Sequence, residues 1–335
     1  MGDPVTETAA RRLRTILTAC VLAVCAASCG GEPPQDAEPL RVRIPAGASF
    51  AEVTDSLASK GLVRAPFFFR LYARIRGVDD EVKPGTYGFR PGTGWNELLE
   101  DLRVGRVLTF RLVIPEGWDL QRIAARLANL TGAPADSVLA LLTDTAQSTR
   151  FGVPGPTLEG YLYPATYTFP VDEPLDSVIA KLVSVYKGVW TPQRRARADS
   201  IGMSEREVVT LASIIEKEAR IRSEMPLISA VYHNRLRIGY PLQADPTVQY
   251  ALGRHRARLL YADIDSVADH PYNTYRNPGL PPGPIASPSV AAIEAALYPA
   301  DVDYLYFVAR PDGSHVFTRS LAEHNRAKIE VRRNR

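Results

Sequence analysis

The chain has 335 residues, 45% of them hydrophobic and 23% charged, an ordinary globular composition that excludes a disordered chain and a fibrous repeat. The length suggests about two or three domains and is ample for a core without a disulfide or metal staple. With 40 basic against 37 acidic side chains and a formal charge of +3, nothing in the balance points to nucleic acid as a partner.

Arg11, Arg12 and Arg14 precede an apolar run over 15–27, and Ala26-Ala27-Ser28-Cys29 closes it. That is the layout of an export signal. The run is shorter than the about 20 residues of a spanning helix. Its end also resembles a bacterial lipobox with Cys29 as the lipidated residue, although Ala26 stands where Leu or Val is more usual. A plain signal peptide and a short membrane anchor are the other readings, and all three put the body outside the cytoplasm. Residues 30–39 (GGEPPQDAEP) form a polar, Pro-rich tether. The three cysteines, Cys20, Cys25 and Cys29, all precede it. A disulfide framework, a Cys-ligated metal and a thiol nucleophile are therefore excluded from the body. His233, His255, His270, His315 and His324 show no short ligand spacing, so no metal site is expected.

Three stretches then repeat one theme. Residues 40–45 (LRVRIP) alternate as a strand and lead through a Gly-containing turn into a helical stretch at 50–59. Residues 85–89 (GTYGF) do the same before 95–104, and 110–114 (FRLVI) before 118–130. Val53 and Leu57, Leu98 and Leu102, and Ile123, Leu127 and Leu130 give the three helices their apolar faces. Residues 66–76 (PFFFRLYARIR) add a helix between the first two units. Repeated short β–α units predict small α+β modules. The pattern resembles LysM-like modules, which bind N-acetylhexosamine chains; packing without a ligand reads equally well from it.

Two or three helices are expected over 136–200, interrupted at 151–170, one of them carrying Val178, Ile179, Leu182, Val183 and Tyr186 as its apolar stripe. The last third predicts strong helices joined by Pro-rich loops and a short hairpin near 304–317 that turns at Pro311-Asp312-Gly313. A capping box, Ser320-x-x-Glu323, opens a final charged helix. The fold class is α+β: LysM-like β–α modules followed by a mainly helical domain with a short β-hairpin. The expected divisions are a signal or anchor segment at 1–29, a linker at 30–39, the modules at 40–132 and the helical domain at 133–335.

The chemistry concentrates after a second capping box, Ser204 with Glu207, which predicts a helix over 205–219. Leu211, Ile214 and Ile215 lie at i, i+3 and i+4, and the i+7 position on that stripe is Glu218. Ser213, Glu216, Lys217 and Arg220 share another, polar face. A carboxylate on an apolar stripe has two explanations. One is a boundary position whose side chain reaches water or a buried Arg. The other is a carboxyl that burial keeps protonated near neutral pH, fit to act as a general acid.

The loops that follow are rich in Pro and Gly and carry amide, carboxylate and aromatic side chains: 241–248 (PLQADPTV), 273–275 (NTY) and 279–285 (GLPPGPI). Such loops suit a sugar groove, since amides bond hydroxyls and aromatic faces pack on pyranose rings. They read equally as plain connections over a helical core. Gln243, Asp245, Asn273 and Tyr275 are the candidate groove residues. Asp245 has a structural alternative as a helix N-cap, with Pro246 at the first helical position.

The ordered string LASIIEKEA (211–219), HNRLRIGYPLQADPTVQYALG (233–253), NTY, GLPPGPIASP (279–288), YLYFVA (304–309) and His324-Asn325 resembles the endolytic murein transglycosylase (YceG-like) family. The resemblance runs from about Leu40 to the C-terminus. EGYLYPATYTF (159–169) also resembles a family motif, with Ala165 where Asp is usual. The family usually begins with one longer spanning helix, which the lipobox-like run here does not match.

The resemblance implies cleavage of the β-1,4 bond between N-acetylmuramic acid and N-acetylglucosamine in peptidoglycan strands, leaving 1,6-anhydro ends, with Glu218 matching the essential glutamate. It implies no cofactor, an enzyme held at the outer face of the cytoplasmic membrane, and work beside glycan polymerases on nascent strands. A two-carboxylate muramidase, with Asp245 or Glu216 as the second acid, and a non-catalytic glycan-binding scaffold are the competing readings.

Overall fold

The computed structural model describes residues 38–254, 256 and 259–333. The proposed signal or anchor, Cys29 and most of the tether lie outside the described residues, as does His255. The chain divides into two compact units. One comprises the chain up to Arg111 together with Thr168–Glu173; the other comprises Leu112–Tyr167 and Pro174–Arg335.

In the first unit β1 (Leu40–Ile44) pairs antiparallel with β2 (Gly85–Phe89), and α1 (Phe50–Ser59) and α2 (Pro66–Arg76) lie between them in sequence. Ser49 and Glu52 form a reciprocal capping box that starts α1. Pro66 opens α2, and Gly77 closes it in the left-handed conformation. Alternation puts Val42, Ile44, Tyr87 and Phe89 on the buried face of the sheet, where Val53, Leu57, Phe69 and Ala73 meet them. α3 (Trp95–Val104) completes this core with Trp95, Leu98, Leu99 and Leu102. The first two apparent β–α repeats are thus one β-α-α-β module, because their strands pair with each other. The third strand does not join that sheet: β3 (Thr109–Val113) pairs with β4 (Thr166–Pro170), a strand the hydrophobic pattern did not reveal.

The second unit is mainly helical. α4 (Leu120–Thr131) starts at Asp119, whose carboxylate accepts the Arg122 N–H. Then come α5 (Ala135–Thr143), α6 (Thr145–Phe151), α7 (Leu175–Val189) and α8 (Pro192–Ser200). α9 (Glu205–Glu218) begins with the expected Ser204–Glu207 box. It packs on α10 (Met225–Arg237) and, past the short α11 (Asp245–Ala251) and α12 (Tyr261–Ser266), on α13 (Val290–Leu297). The hairpin is β5 (Tyr306–Ala309) against β6 (His315–Thr318), followed by α14 (Leu321–Arg333) behind the Ser320 cap. Among the described residues the sheets are three two-stranded pairs, so the architecture is mixed α+β with a helical majority in the second unit.

α9 is the centre of that unit. Every residue from Val208 to Ile215 is buried, so the helix has no polar face over two turns. Ser213 is buried with the rest, and its hydroxyl donates to Thr210 O and accepts the Ile285 N–H at 3.0 Å. The single-stripe reading of α9 is therefore corrected: the helix is surrounded, and burial rather than phase distinguishes its last turn.

Candidate active site

Glu218 is the final residue of α9, and Ala219 leaves the helix in extended conformation. The helix ends there with its carbonyls aimed forward, an environment that disfavours a negative charge. Burial pushes the Glu218 carboxyl up to about 7, and the neighbouring negative charge of Asp245 pushes the same way. Tyr232, one turn before the end of α10, donates its hydroxyl to Glu218 Oε1 at 3.0 Å. That bond favours the ionised form and opposes the rise without cancelling it. With Oε1 engaged, Oε2 is the oxygen open to a proton when the carboxyl is neutral.

Arg235 follows Tyr232 by three residues and so shares its face of α10. It is not a salt-bridge partner for Glu218. Its Nε donates to Leu305 O at 2.7 Å and its Nη1 to Leu242 O at 2.5 Å. The guanidinium lies over the rings of Tyr240 and Tyr306. The buried cation thus ties the start of the 241–247 loop to the strand entry at Leu305, and its charge is spread over carbonyls and aromatic faces.

The 241–247 loop carries Gln243 and Asp245 and is stitched to 273–275 by Thr274. Gln243 N–H donates to Thr274 O at 3.1 Å, Ala244 N–H donates to Thr274 Oγ1 at 3.0 Å, and the Thr247 and Thr274 hydroxyls are 2.8 Å apart. Gln243 has φ +48°, the one non-glycine residue in the left-handed region among those described, and its side chain is exposed. Asp245 is exposed too, and the Tyr275 hydroxyl donates to its Oδ1 at 2.5 Å. Asp245 is the first residue of α11 and makes no cap bond; Ala244 occupies the cap position. The N-cap alternative is therefore set aside, because the side chain is held by Tyr275 instead.

Glu218, Asp245 and Tyr275 thus come together, with Asp245 and Tyr275 each sensing the charge of Glu218 or imposing its own. Asn273 does something different. It is fully buried, its amide donates to Ile264 O and Val267 O at 2.9 and 3.0 Å, and its carbonyl oxygen accepts the Tyr275 N–H. Every polar atom is spent on backbone, so Asn273 sets the loop that presents Tyr275. Glu216 is also engaged structurally. Its Oε2 accepts from Ser289 N and Oγ at 3.0 and 2.5 Å, which fastens α9 to the start of α13. The 279–288 loop is mostly interior, and Ser287 N–H bonds Trp118 O while Gly117 N–H bonds Ser287 O. It braces the site more than it lines a groove.

Residues 42–330 match the YceG-like family. The chain belongs to that family. Its relatives include a Bacillus subtilis (strain 168) protein named endolytic murein transglycosylase, 34% identical over 305 residues that cover 86% of this chain and 84% of that one. A protein of the same name from Streptococcus pneumoniae serotype 2 (strain D39) is 31% identical across 86% of this chain, and this chain spans 59% of its length. A YceG-like protein of Listeria monocytogenes, known as a crystal structure, superposes with a TM-score of 0.59 at 34% identity and covers 86% of this chain and 98% of its own.

Within this YceG-like chain, Tyr232, Arg235 and Thr274 are the site residues that sequence reasoning missed. Tyr232 immediately precedes His233-Asn234, which carry the more conspicuous side chains. Those two are structural: the His233 ring bonds Ala296 O, and the Asn234 amide donates to Val302 O and Tyr304 O. The available signal was the i, i+3 spacing of Tyr232 and Arg235 on one face of a helix that follows the Glu218 turn.

Proposed function

We propose that this chain is a peptidoglycan lytic transglycosylase in which Glu218 is the single acid and base. The observation that carries the reading is the state of Glu218: a half-buried carboxyl at a helix C-terminus, with no salt-bridge partner among the described residues and one oxygen held by Tyr232. Protonated, it gives its proton to the glycosidic oxygen leaving C1 of N-acetylmuramic acid. The C6 hydroxyl of the same muramoyl ring attacks C1, the C1–O4 bond breaks, a C1–O6 bond forms, and the carboxylate of Glu218 takes the hydroxyl proton. The product end is 1,6-anhydro-N-acetylmuramic acid, and no water enters. One carboxyl suffices because nucleophile and electrophile share a ring, so their proximity comes with the substrate; glycosidases that use water or a covalent intermediate ordinarily need two. A pKa near the working pH suits a group that must both give and take a proton.

Gln243, Asp245 and Tyr275 contact the sugar on either side of the scissile bond in this reading, and Asn273 acts through the loop. Support comes from the strained, outward Gln243 and from the Tyr275–Asp245 pair beside Glu218. The β-α-α-β module of the first unit supports a LysM-like glycan-binding role. The N-terminal segment serves as the anchor, with lipidation at Cys29 or a short span as its two forms, and the body works at the outer face of the cytoplasmic membrane on nascent strands beside the polymerases. Among the described residues no helix is long and apolar enough to cross a membrane.

The nearness of Asp245 to Glu218 favours one second reading, a two-carboxylate muramidase. Glu218→Gln removes the proton and keeps the shape, so it abolishes cleavage by about 10²–10⁴ under either enzyme reading. A glycan-binding scaffold would retain its cellular role in that variant. The mass of the new chain end separates the two enzymes.

A further inference from the structure

Beside the Glu218 turn the second unit holds a cleft of about 500 Å³. Its walls come from the start of α4, from Lys217, and from α11 with the turn after it, including Tyr250 and Arg254. Glu159, from the EGYLYPATYTF segment, lines it as well. None of the chemistry proposed above uses Glu159, yet it is 2% exposed. Its Oε2 accepts the Leu120 N–H at 3.1 Å. Its Oε1 is buried without a hydrogen-bond partner among the described residues, and the nearby Tyr250 hydroxyl favours the ionised form of the carboxyl. An unmet buried oxygen is costly to leave without a partner. The fold also protects its neighbourhood. Gly160 has φ +80°, and a Cβ there would lie 2.5 Å from Pro284 Cβ, so the chain passes too tightly for any other residue.

Three cations border the same cleft: Arg122, Lys217 and Arg254. Lys217 spends one proton on Gly117 O at 3.1 Å. Asp119, the acid on the rim, is occupied in capping the Arg122 N–H. Positive charge around a buried carboxyl with one unmet oxygen suits an incoming anion. Burial pushes the Glu159 carboxyl up to about 8, so at neutral pH its hydroxyl is available as a donor. A carboxylic acid donating to a carboxylate makes a short, charge-assisted bond, and guanidinium groups bind carboxylates in planar pairs.

We propose that this cleft binds a carboxylate of the peptide stem carried by the muramoyl residue, with Glu159 donating to one oxygen and Arg122, Arg254 and Lys217 supplying the countercharge. The inference rests on the transglycosylase reading, because it assigns the cleft to the same substrate. It makes the enzyme selective for strands whose stems carry free acids, and it gives the Glu159-Gly160 turn a purpose in recognition. An uncharged saccharide unit would use the amide and aromatic groups of the cleft and gain nothing from the three cations.

The test is binding of a single N-acetylglucosaminyl-N-acetylmuramoyl peptide, which lacks the scissile linkage, to the full chain by titration calorimetry. The comparison compound is the same molecule with every stem carboxylate converted to carboxamide. The free acid is expected to bind about tenfold or more tightly than the amide. In Arg122→Gln/Arg254→Gln the ratio falls to about twofold or less. Glu159→Gln, which keeps an N–H donor, retains most of the ratio, and Glu159→Leu loses it; thermal melting checks that each variant is folded. Equal affinity for the two compounds, or a ratio that survives in the double arginine variant, overturns the proposal. A chain that cleaves strands but shows no ratio keeps the transglycosylase reading and loses this one. A chain that shows the ratio without cleavage does the reverse.

Discussion

The Tyr232 hydroxyl of α10 reaches the last residue of α9 and donates to Glu218 Oε1 at 3.0 Å. The bond fixes which oxygen carries the proton and draws the Glu218 pKa down against the pull of burial. Tyr232→Phe removes both effects. The carboxyl then titrates higher, so the alkaline limb of the rate profile moves to higher pH. At the optimum the rate falls about three- to tenfold because the acid is no longer oriented. A pH–rate profile on uncrosslinked strands checks the pair of changes. A slower enzyme with an unmoved limb would make Tyr232 a packing residue only.

Asp245→Asn is expected to move the same limb the other way. The negative charge of Asp245 raises the Glu218 pKa, so its removal lowers that pKa and shifts the loss of activity to lower pH. Because Asn still accepts from Tyr275, the loop geometry survives and the displacement is electrostatic. The opposite signs of the Tyr232 and Asp245 variants, read in one assay, are a stricter test than either loss alone.

Raising a carboxyl pKa on folding makes the protein less stable as pH rises. Glu218 binds its proton more tightly in the folded state than in the unfolded chain. Stability is therefore greatest below the unfolded value near 4.5 and is lost as pH rises toward about 7. The loss is at most about 3 kcal/mol for the shift of this group. Glu218→Gln relieves it. Its melting temperature should exceed wild type at pH 8 by several degrees and match it near pH 4.5. An equal gain at both values would point to packing instead of proton linkage.

Much of this site was legible in the sequence, and the part that was not has a common cause. Capping boxes at Ser204 and Ser320 placed two helix starts, because a cap is a local transaction between residues three apart. Glu218 was legible as a misplaced carboxylate, although the stripe behind that reading is not distinct, since every residue from Val208 to Ile215 is buried. β4 was not legible, since its five residues gain strand status only by pairing with β3, which lies more than fifty residues earlier. Glu216 and Asn273 looked like free polar groups for the same reason. Their partners, Ser289 and the carbonyls of Ile264 and Val267, are fixed by tertiary packing that no local pattern encodes.

Gln243 stores backbone strain at φ +48°, a conformation that costs a non-glycine residue about 1–2 kcal/mol. Gln243→Gly should relieve it and raise the melting temperature above that of Gln243→Ala, which keeps the strain. Both variants lose the amide, and both should raise KM about three- to tenfold if the side chain holds the sugar. Full activity in the more stable Gly variant would leave the strain unexplained by function.

The most direct measurement is the mass of the chain ends released from uncrosslinked glycan strands by purified residues 30–335, beside the same protein carrying Glu218→Gln. Wild-type protein is expected to release fragments ending in 1,6-anhydro-N-acetylmuramic acid, one water lighter than reducing ends, and the variant to release none above background. Reducing ends from wild type would make the reaction a hydrolysis with Asp245 as second carboxylate, and undiminished anhydro product from Glu218→Gln would place the acid on another residue.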